Sequence, residues 1–481
     1  MADHSRRRVL KGIGATAAGV SLGVGSASAS TADERFLIDL DEVSRSEVPE
    51  DVEIIHDLSL SNVLVARGDQ TDVGTSTATA SDLRIDLSDD DTGAVVEEDG
   101  PEASGSGASH NHDGPASNTE LQWDKRVQNL SNDQTDKPGN GRVVHDVSTG
   151  EGTRIAVVDS GVYDGHPDLV DVVNEDLSAN FTTDSFDWRP SGAGNHGTHV
   201  AGTIAATNSN DGPGGGVLGT APNTEIVSLR MFSGLEGYVG DGLAAWEYAA
   251  QIGCDAINYS VGYTVSDTEK YPGLLQLEQI ISQVATAVRS EGTIIVNSAG
   301  NAALDMDAPN QLSLPTEADD VFGVAATGPI GFSWGNKHDD NEEKWLEGNA
   351  LEEPTSEPAV YTNYGDAVDV SAGGGNYDLA EIQAGNTKAY NDLVFSTINT
   401  TDQDGNVVAG YGWKAGTSMA APQVAGAVAL VKSLRPDATP DEVEGLIQET
   451  ASMPDEGERY HGAGHLDLEA LVRAADGNGR E

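Results

Sequence analysis

Residues 154–161 read Arg-Ile-Ala-Val-Val-Asp-Ser-Gly, a short apolar run that ends in a carboxylate and a glycine. Such a run, without polar alternation, is typical of a strand buried on both faces of a parallel sheet. Similar runs occur at residues 225–229, 256–259, 293–297 and 321–325. Helical patterns lie between or after them, at residues 199–206, 239–252, 274–290, 418–433 and 440–450. This alternation predicts an α/β fold whose central sheet is mainly parallel.

The chain that precedes this region has a different character. Arg6-Arg7 stand before a weakly apolar run and Ala27-Ser28-Ala29, which predicts a twin-arginine signal peptide and therefore secretion without stable membrane anchoring. Short alternating segments then predict a small α+β module, followed by a linker rich in Asp, Glu, Gly and Ser. The predicted divisions are residues 1–29 (signal peptide), 30–118 (small module and linker), 119–475 (α/β domain) and 476–481 (tail), with an acidic inserted loop at 334–357.

The charge balance excludes several classes of function. The chain has 79 acidic and 26 basic residues and a net charge of −53. A surface this negative argues against nucleic-acid binding and against docking on anionic lipid. It suits a salt-rich solvent, because the Debye length falls to about 3 Å at 1 M salt and self-repulsion is screened. We therefore expect a halophilic protein. Cys254 is the single cysteine, which excludes an internal disulfide, and we expect it to be a small buried residue rather than a nucleophile.

Three motifs carry groups suited to nucleophilic catalysis: Asp159 after the first strand, His199 in His-Gly-Thr-His-Val-Ala-Gly (196–202), and Ser418 in Gly-Thr-Ser-Met-Ala-Ala-Pro (416–422). A hydroxyl needs a base to take its proton, and an imidazole base needs an acceptor that holds its tautomer. Taken singly, Asp159 could cap a turn, His199 could be a core histidine and Ser418 could be a helix N-cap. Their occurrence together in the order Asp, His, Ser favours a catalytic set.

These motifs and their order resemble those of the subtilisin-like serine proteases, over about residues 122–475, and the acidic composition is similar to that of secreted halophilic archaeal (halolysin-like) members. The resemblance implies a three-layer α/β domain, preceded by a propeptide that acts as inhibitor and chaperone. It assigns Ser418 as nucleophile, His199 as general base and Asp159 as the residue that orients it, with His196 structural. Asn301, in Asn-Ser-Ala-Gly-Asn (297–301), and the Ser418 backbone N–H would hold the oxyanion.

The same resemblance assigns peptide-binding and metal-binding residues. Peptide and protein substrates would pair with enzyme edges. The residues expected to line that cleft are Ser260, Val261, Gly262, Gly237, Tyr238, Ser298, Ala299 and Gly300. Asp168, Asn208 and Asn210 match a region that binds calcium in many members, so calcium is the expected cofactor, with no organic cofactor.

The expected protein is therefore a monomeric secreted serine endopeptidase, autoprocessed from a precursor. Two alternatives use the same fold. One is a peptide-binding scaffold without catalysis, which the complete set of motifs argues against. The other is an esterase or acyltransferase with the same nucleophile, which the peptide-cleft segments argue against.

Overall fold

The computed structural model describes residues 34–73, 78–87, 94–96, 121–131, 143–191, 194–209, 215–265, 267–271, 273–330, 356–378, 380, 383, 387–402 and 406–477. The predicted signal peptide and nearly all of the predicted acidic insertion lie outside these ranges. No helix within them has both the length and the apolar character needed to cross a membrane.

The strands are β1 (Glu34–Asp39), β2 (Glu53–Leu58), β3 (Val63–Gly68), β4 (Thr79–Ser81), β5 (Arg84–Asp86), β6 (Ala94–Val96), β7 (Arg154–Asp159), β8 (Ala179–Asn180), β9 (Glu225–Arg230), β10 (Phe232–Ser233), β11 (Glu236–Tyr238), β12 (Ala256–Tyr259), β13 (Tyr263–Val265), β14 (Ile294–Ser298), β15 (Leu312–Leu314), β16 (Val321–Thr327), β17 (Val370–Gly373), β18 (Val394–Thr401) and β19 (Val407–Lys414). The helices are α1 (Trp123–Arg126), α2 (His196–Ala205), α3 (Val239–Gln251), α4 (Leu274–Ser290), α5 (Thr417–Leu434), α6 (Pro440–Thr450), α7 (Glu458–His461) and α8 (Leu468–Ala475).

A parallel sheet of seven strands forms the centre of the large domain, in the order β17-β16-β14-β12-β7-β9-β8. Alternate residues of β7 point to opposite faces, as strand geometry requires. Ile155 and Val157 join a core with α2 and α5, whereas Ala156 and Val158 join a second core with α3 and α4. The predicted three-layer α/β domain and its five sheet strands are confirmed. The short strands β8 and β17 were not predicted.

The N-terminal module is a four-stranded antiparallel sheet, in the order β2-β3-β1-β4. In residues 34–73 and 78–87, its helical structure is limited to two short 3₁₀ turns. The α-helices that this sheet packs against, α3 and α4, belong to the large domain. The α-helical part of the predicted small α+β module is therefore not found in the described residues, where the large domain supplies the helical layer.

Two further strands join the N-terminal region to the large domain. Strand β5 pairs antiparallel with β11, with Ile85 opposite Gly237. Strand β6, within the predicted linker, pairs antiparallel with β19, with Val95 opposite Gly412. The predicted linker therefore contains a three-residue strand.

Candidate active site

The candidate site lies at the carboxyl edge of the central sheet. Asp159 ends β7, Ser260 follows β12 and Ser298 ends β14, and these three strands are neighbours. Parallel strands bring such residues to one edge, which is where α/β proteins build their sites. The helices α2 and α5, which carry the other candidate residues, pack against each other under this edge.

The imidazole that contacts Asp159 belongs to His196. The Nδ1 atom of His196 lies 2.8 Å from Oδ2 and 3.0 Å from Oδ1 of Asp159. The Asp159 side chain is fully buried and that of His196 is 7% exposed. The carboxylate also accepts the Ser160 backbone N–H at 2.6 Å. Asp159 can therefore hold His196 in the tautomer with hydrogen on Nδ1, which leaves Nε2 to act as a base.

The predicted pairing of Asp159 with His199 is wrong, and so is the structural role predicted for His196. His199 is fully buried, and its Nε2 lies 3.1 Å from the carbonyl oxygen of Val394 and 3.2 Å from that of Gly412. It faces the β18–β19 hairpin, and burial lowers its pKa well below the ordinary value. His199 is a buried residue that links α2 to this hairpin.

The resemblance was carried onto the wrong one of the two histidines in the motif. We predicted a helix from residue 199, whereas α2 begins at His196, so His196 occupies the first turn at the catalytic edge. The glycine after His196 is the signal that could have corrected this. A Cβ atom on Gly197 would lie 2.5 Å from the Gly161 carbonyl oxygen and 3.1 Å from the Asp159 Cβ. Residue 197 must therefore be small, because it lies beside the turn at residues 159–161. The histidine directly before it, His196, is thus the one next to Asp159.

Ser418 is the second residue of α5, at the positive end of that helix. Its hydroxyl donates to the Ser260 carbonyl oxygen at 3.2 Å, and the Ser260 hydroxyl donates to the Ser418 carbonyl oxygen at 2.9 Å. Pro422, the sixth residue of the helix, has no N–H to donate to the Ser418 carbonyl oxygen, which accepts the Ser260 hydroxyl instead. The structure thus brings Ser418 against the residue that follows β12.

Asn301 reaches the same helix terminus with a defined orientation of its amide. Its Oδ1 atom accepts the Thr417 backbone N–H and the Thr417 hydroxyl, both at 2.9 Å. The Nδ2 group lies beside the residue before Thr417, since a Cβ atom on Gly416 would be 3.3 Å from it. Thr417 also accepts the Gly300 backbone N–H through its hydroxyl at 3.1 Å. Sequence reasoning missed Thr417, which fixes both Asn301 and the turn before it.

The predicted cleft residues lie in three places. Ser260–Gly262 and Ser298–Gly300 are joined through Asn297, whose Nδ2 donates to the Tyr259 and Val261 carbonyl oxygens. Gly300 has a φ of +107°, and a Cβ atom there would lie 2.3 Å from Asn363 Nδ2, so glycine is required. Gly237 and Tyr238 belong to β11 in the β10–β11 hairpin, which starts where the Met231 N–H donates to the Asp159 carbonyl oxygen.

Asp168, which was predicted to bind calcium, accepts hydrogen bonds from protein donors instead. Asp168 is fully buried; its Oδ1 accepts the Ser209 N–H at 2.9 Å, and its Oδ2 accepts the Val217 N–H at 2.9 Å and the Tyr411 hydroxyl at 2.7 Å. A calcium ion needs six to eight oxygen ligands, whereas hydrogen-bond donors surround this carboxylate. Nor does any group of three or more His, Cys, Asp or Glu side chains suited to a metal occur in the described part of the chain.

Asp168 as arranged therefore does not fit a calcium ion. Asn208 is in a left-handed conformation in the same loop, and Asn210 lies outside the described residues. Calcium elsewhere in the protein stays a prediction. The buried Cys254 agrees with its expected role, since burial raises the pKa of its thiol to about 12.

Residues 150–472 match the model of the Subtilase family. The chain belongs to the subtilase family. This confirms, at the level of the family, the predicted enzyme class of serine endopeptidases, which hydrolyse peptide bonds. Membership also agrees with the geometry, since the matched span includes Asp159, His196, Asn301 and Ser418.

Individual subtilases are similar at moderate identity. The chain is 30% identical to an extracellular protease of Xanthomonas campestris pv. campestris over 372 residues, which cover 69% of this chain but only 53% of that protein. It is 29% identical to thermitase of Thermoactinomyces vulgaris over 312 residues, 64% of this chain and 83% of thermitase. A protease structure from Pseudoalteromonas arctica has a TM-score of 0.52 at 27% identity, with 74% of this chain and 97% of that chain covered.

Proposed function

We propose that this subtilase is a secreted serine endopeptidase that hydrolyses peptide bonds through Asp159, His196 and Ser418. The observation that carries the proposal is the contact of His196 Nδ1 with Asp159 at 2.8 Å, at the sheet edge where Ser418 begins a helix. Names of relatives support the class of activity: one is called an extracellular protease and another thermitase.

The proposed reaction is an acyl transfer in two stages. The Ser418 hydroxyl turns from the Ser260 carbonyl oxygen, His196 Nε2 takes its proton, and Oγ attacks the scissile carbonyl carbon. Asp159 stabilises the imidazolium ion that forms. The oxyanion is held by the Ser418 backbone N–H and Asn301 Nδ2. His196 then protonates the leaving amine, and a water molecule hydrolyses the acyl-enzyme by the same steps.

We propose further that the predicted segment 30–118, of which the structure describes residues 34–73, 78–87 and 94–96, acts as an inhibitory propeptide. Strand β5 occupies the edge of β11, and a substrate strand could not use that edge at the same time. The module is held to α3 by charged groups: Arg35 Nη2 lies 2.6 Å from Asp241 Oδ1, and Glu247 accepts the Ser61 N–H at 2.8 Å. Arg35 also lies 4.1 Å above the ring of Tyr238.

Replacement of the nucleophile tests the activity and the processing together. Ser418→Ala should remain folded, accumulate as the uncut precursor and fail to hydrolyse casein. Thr198→Ser, which keeps a buried hydroxyl on α2, is a control that should be processed normally. Normal hydrolysis by the purified alanine variant would rule out Ser418 as the nucleophile.

Export by the twin-arginine route is part of the proposal and rests on Arg6-Arg7. Replacing both arginines with lysine should trap the precursor inside the cell, and unchanged secretion of this variant would exclude the route. Measuring precursor in cell and culture fractions by immunoblot distinguishes the two results.

We propose that the protein also depends on salt, because its net charge is −53. At 0.1 M salt the Debye length is about 10 Å, so neighbouring carboxylates repel one another, and at 1 M it is about 3 Å. The Ser418→Ala protein, which cannot digest itself, should lose its circular dichroism spectrum on dialysis from molar to low salt. An unchanged melting temperature across that range would contradict halophily.

A further inference from the structure

Arg230 is a fully buried charged residue at the end of β9, beside the candidate site. In the sheet register it lies opposite Asp159 on the neighbouring strand β7. An arginine without exposure requires partners for its donors, because an unpaired buried charge is costly. The guanidinium group of Arg230 must therefore bind neighbouring segments.

The guanidinium group binds two separate segments. Toward residues 180–191, it pairs with the Asp184 carboxylate at 2.7 and 2.9 Å and donates to the Asp187 carbonyl oxygen at 2.8 Å and to the Ser191 hydroxyl at 3.0 Å. Toward the β10–β11 hairpin, it donates to the Phe232 carbonyl oxygen at 2.7 Å. The bonds from Arg230 hold the pKa of Asp184 well below its ordinary range, which favours the charged carboxylate.

Ser191 extends the connection to the tip of the hairpin. Its Oγ atom accepts the Gly234 N–H at 3.1 Å in addition to the bond from Arg230. Residues 180–191 also lie close against the turn that follows Asp159: a Cβ atom on Gly161 would lie 2.8 Å from the Trp188 carbonyl oxygen. Arg230 thus fixes the hairpin relative to the turn that follows Asp159.

We propose that Arg230 is a positioning residue that aligns the β10–β11 hairpin for extended peptide substrates. This rests on the proposed peptidase function. The hairpin edge can pair with an added strand, since β5 pairs with β11 through Gly237 and the Leu87 N–H donates to the Leu235 carbonyl oxygen at 2.8 Å. Arg230 does not touch the reacting atoms. Its removal should therefore weaken binding of residues that lie along the hairpin and leave the chemistry of the scissile bond intact.

The experiment compares a long and a short substrate on the mature enzyme. Arg230→Met should lower kcat/KM for a tetrapeptide anilide about 10- to 100-fold, roughly the loss of two backbone hydrogen bonds, mainly through KM. Hydrolysis of a single-residue ester, which does not reach the hairpin, should change little. Arg189→Lys is the matched control. Arg189 lies in the same segment, 180–191, but pairs with Asp164 and not with the hairpin. Any effect of this variant should therefore be the same for both substrates.

A second variant covers the case in which Arg230→Met does not fold. Ser191→Ala removes the bond to the Gly234 N–H and keeps the Arg230–Asp184 pair. It should lower the tetrapeptide-to-ester ratio in the same direction by a smaller factor. An unchanged ratio in the folded variants, or an equal loss on both substrates, would overturn the proposal. Failure of the unmodified enzyme to cleave either substrate would instead refute the peptidase function.

Discussion

Helix α2 carries two histidines one turn apart, and they lie in different environments. His196, in the first turn, contacts a buried carboxylate and keeps slight exposure. His199, one turn later, is enclosed between backbone carbonyl oxygens of the β18–β19 hairpin. A carboxylate partner stabilises a protonated imidazole, whereas burial without one favours the neutral ring. The comparison shows how residues of one type, three positions apart, take different partners, and under the proposed function only His196 is placed for catalysis.

Substitution of the two histidines should give the largest difference in kcat between any two variants considered. His196→Ala should lower kcat about 10⁶-fold, the magnitude known for a related subtilisin, and adding Ser418→Ala should cost little more because the groups act as a unit. His199→Gln should retain turnover per folded molecule. Variants matured by added wild-type enzyme and then purified away from it would be assayed against a peptide anilide. An inactive but folded His199→Gln together with an active His196→Ala would reverse the assignment.

The oxyanion contact gives the next largest effect. Asn301→Leu should lower kcat by about 10² to 10³, the range measured for this donor in a related subtilisin. Asn301→Asp is the sharper comparison, since it keeps an acceptor for the Thr417 N–H and hydroxyl but loses the Nδ2 donor. We expect it to be at least as impaired, with an unchanged melting temperature. Full activity of Asn301→Asp would remove Asn301 from the mechanism.

The hydrogen bond from Tyr411 to Asp168 should contribute to stability, and we expect its loss to have a much smaller effect than the substitutions above. Tyr411→Phe deletes the hydroxyl that donates to Asp168 at 2.7 Å, and a hydrogen bond to a charged group contributes about 1.5–3 kcal/mol. The variant, measured in the inert Ser418→Ala background, should melt at a lower temperature. Chelation of calcium should not reproduce this loss. A chelator effect that Tyr411→Phe abolishes would instead place a metal at Asp168.

The enclosed His199 should produce a modest dependence of stability on pH. Its pKa is lowered in the folded protein, so below about pH 6.5 the unfolded chain binds a proton that the folded state refuses. The stabilisation is therefore present above the ordinary histidine pKa and is lost as the pH falls below it, by up to about 1.4 kcal/mol per pH unit. His199→Gln should reduce the slope of that part of the unfolding profile, to which the buried His145, His166, His461 and His465 contribute with the same sign. An identical slope in both proteins would show that other groups cause it.

Much of the fold followed from local pattern. The strand runs at 154–158, 225–229 and 256–259 and the helices at 274–290 and 440–450 appear within a residue or so of their predicted ends. Apolar continuity marks strands buried on both faces, and helical spacing marks amphipathic segments such as α4, so both signals are contained in short windows. The motifs that contain Asp159, Ser260 and Ser298 all lie at the carboxyl edge of the central sheet, where the candidate site is found.

The sequence by itself determined the α/β architecture, the strong negative charge and the set of residues from which a site could be built. Only the tertiary structure decided which histidine faces Asp159, because a shift of one turn along α2 changes the segments that the side chain meets. It also decided that Tyr411, far along the chain from Asp168, donates to that carboxylate, and that Arg230 connects two loops. These contacts join segments distant in sequence, and their geometry depends on how α2, β19 and the hairpin pack.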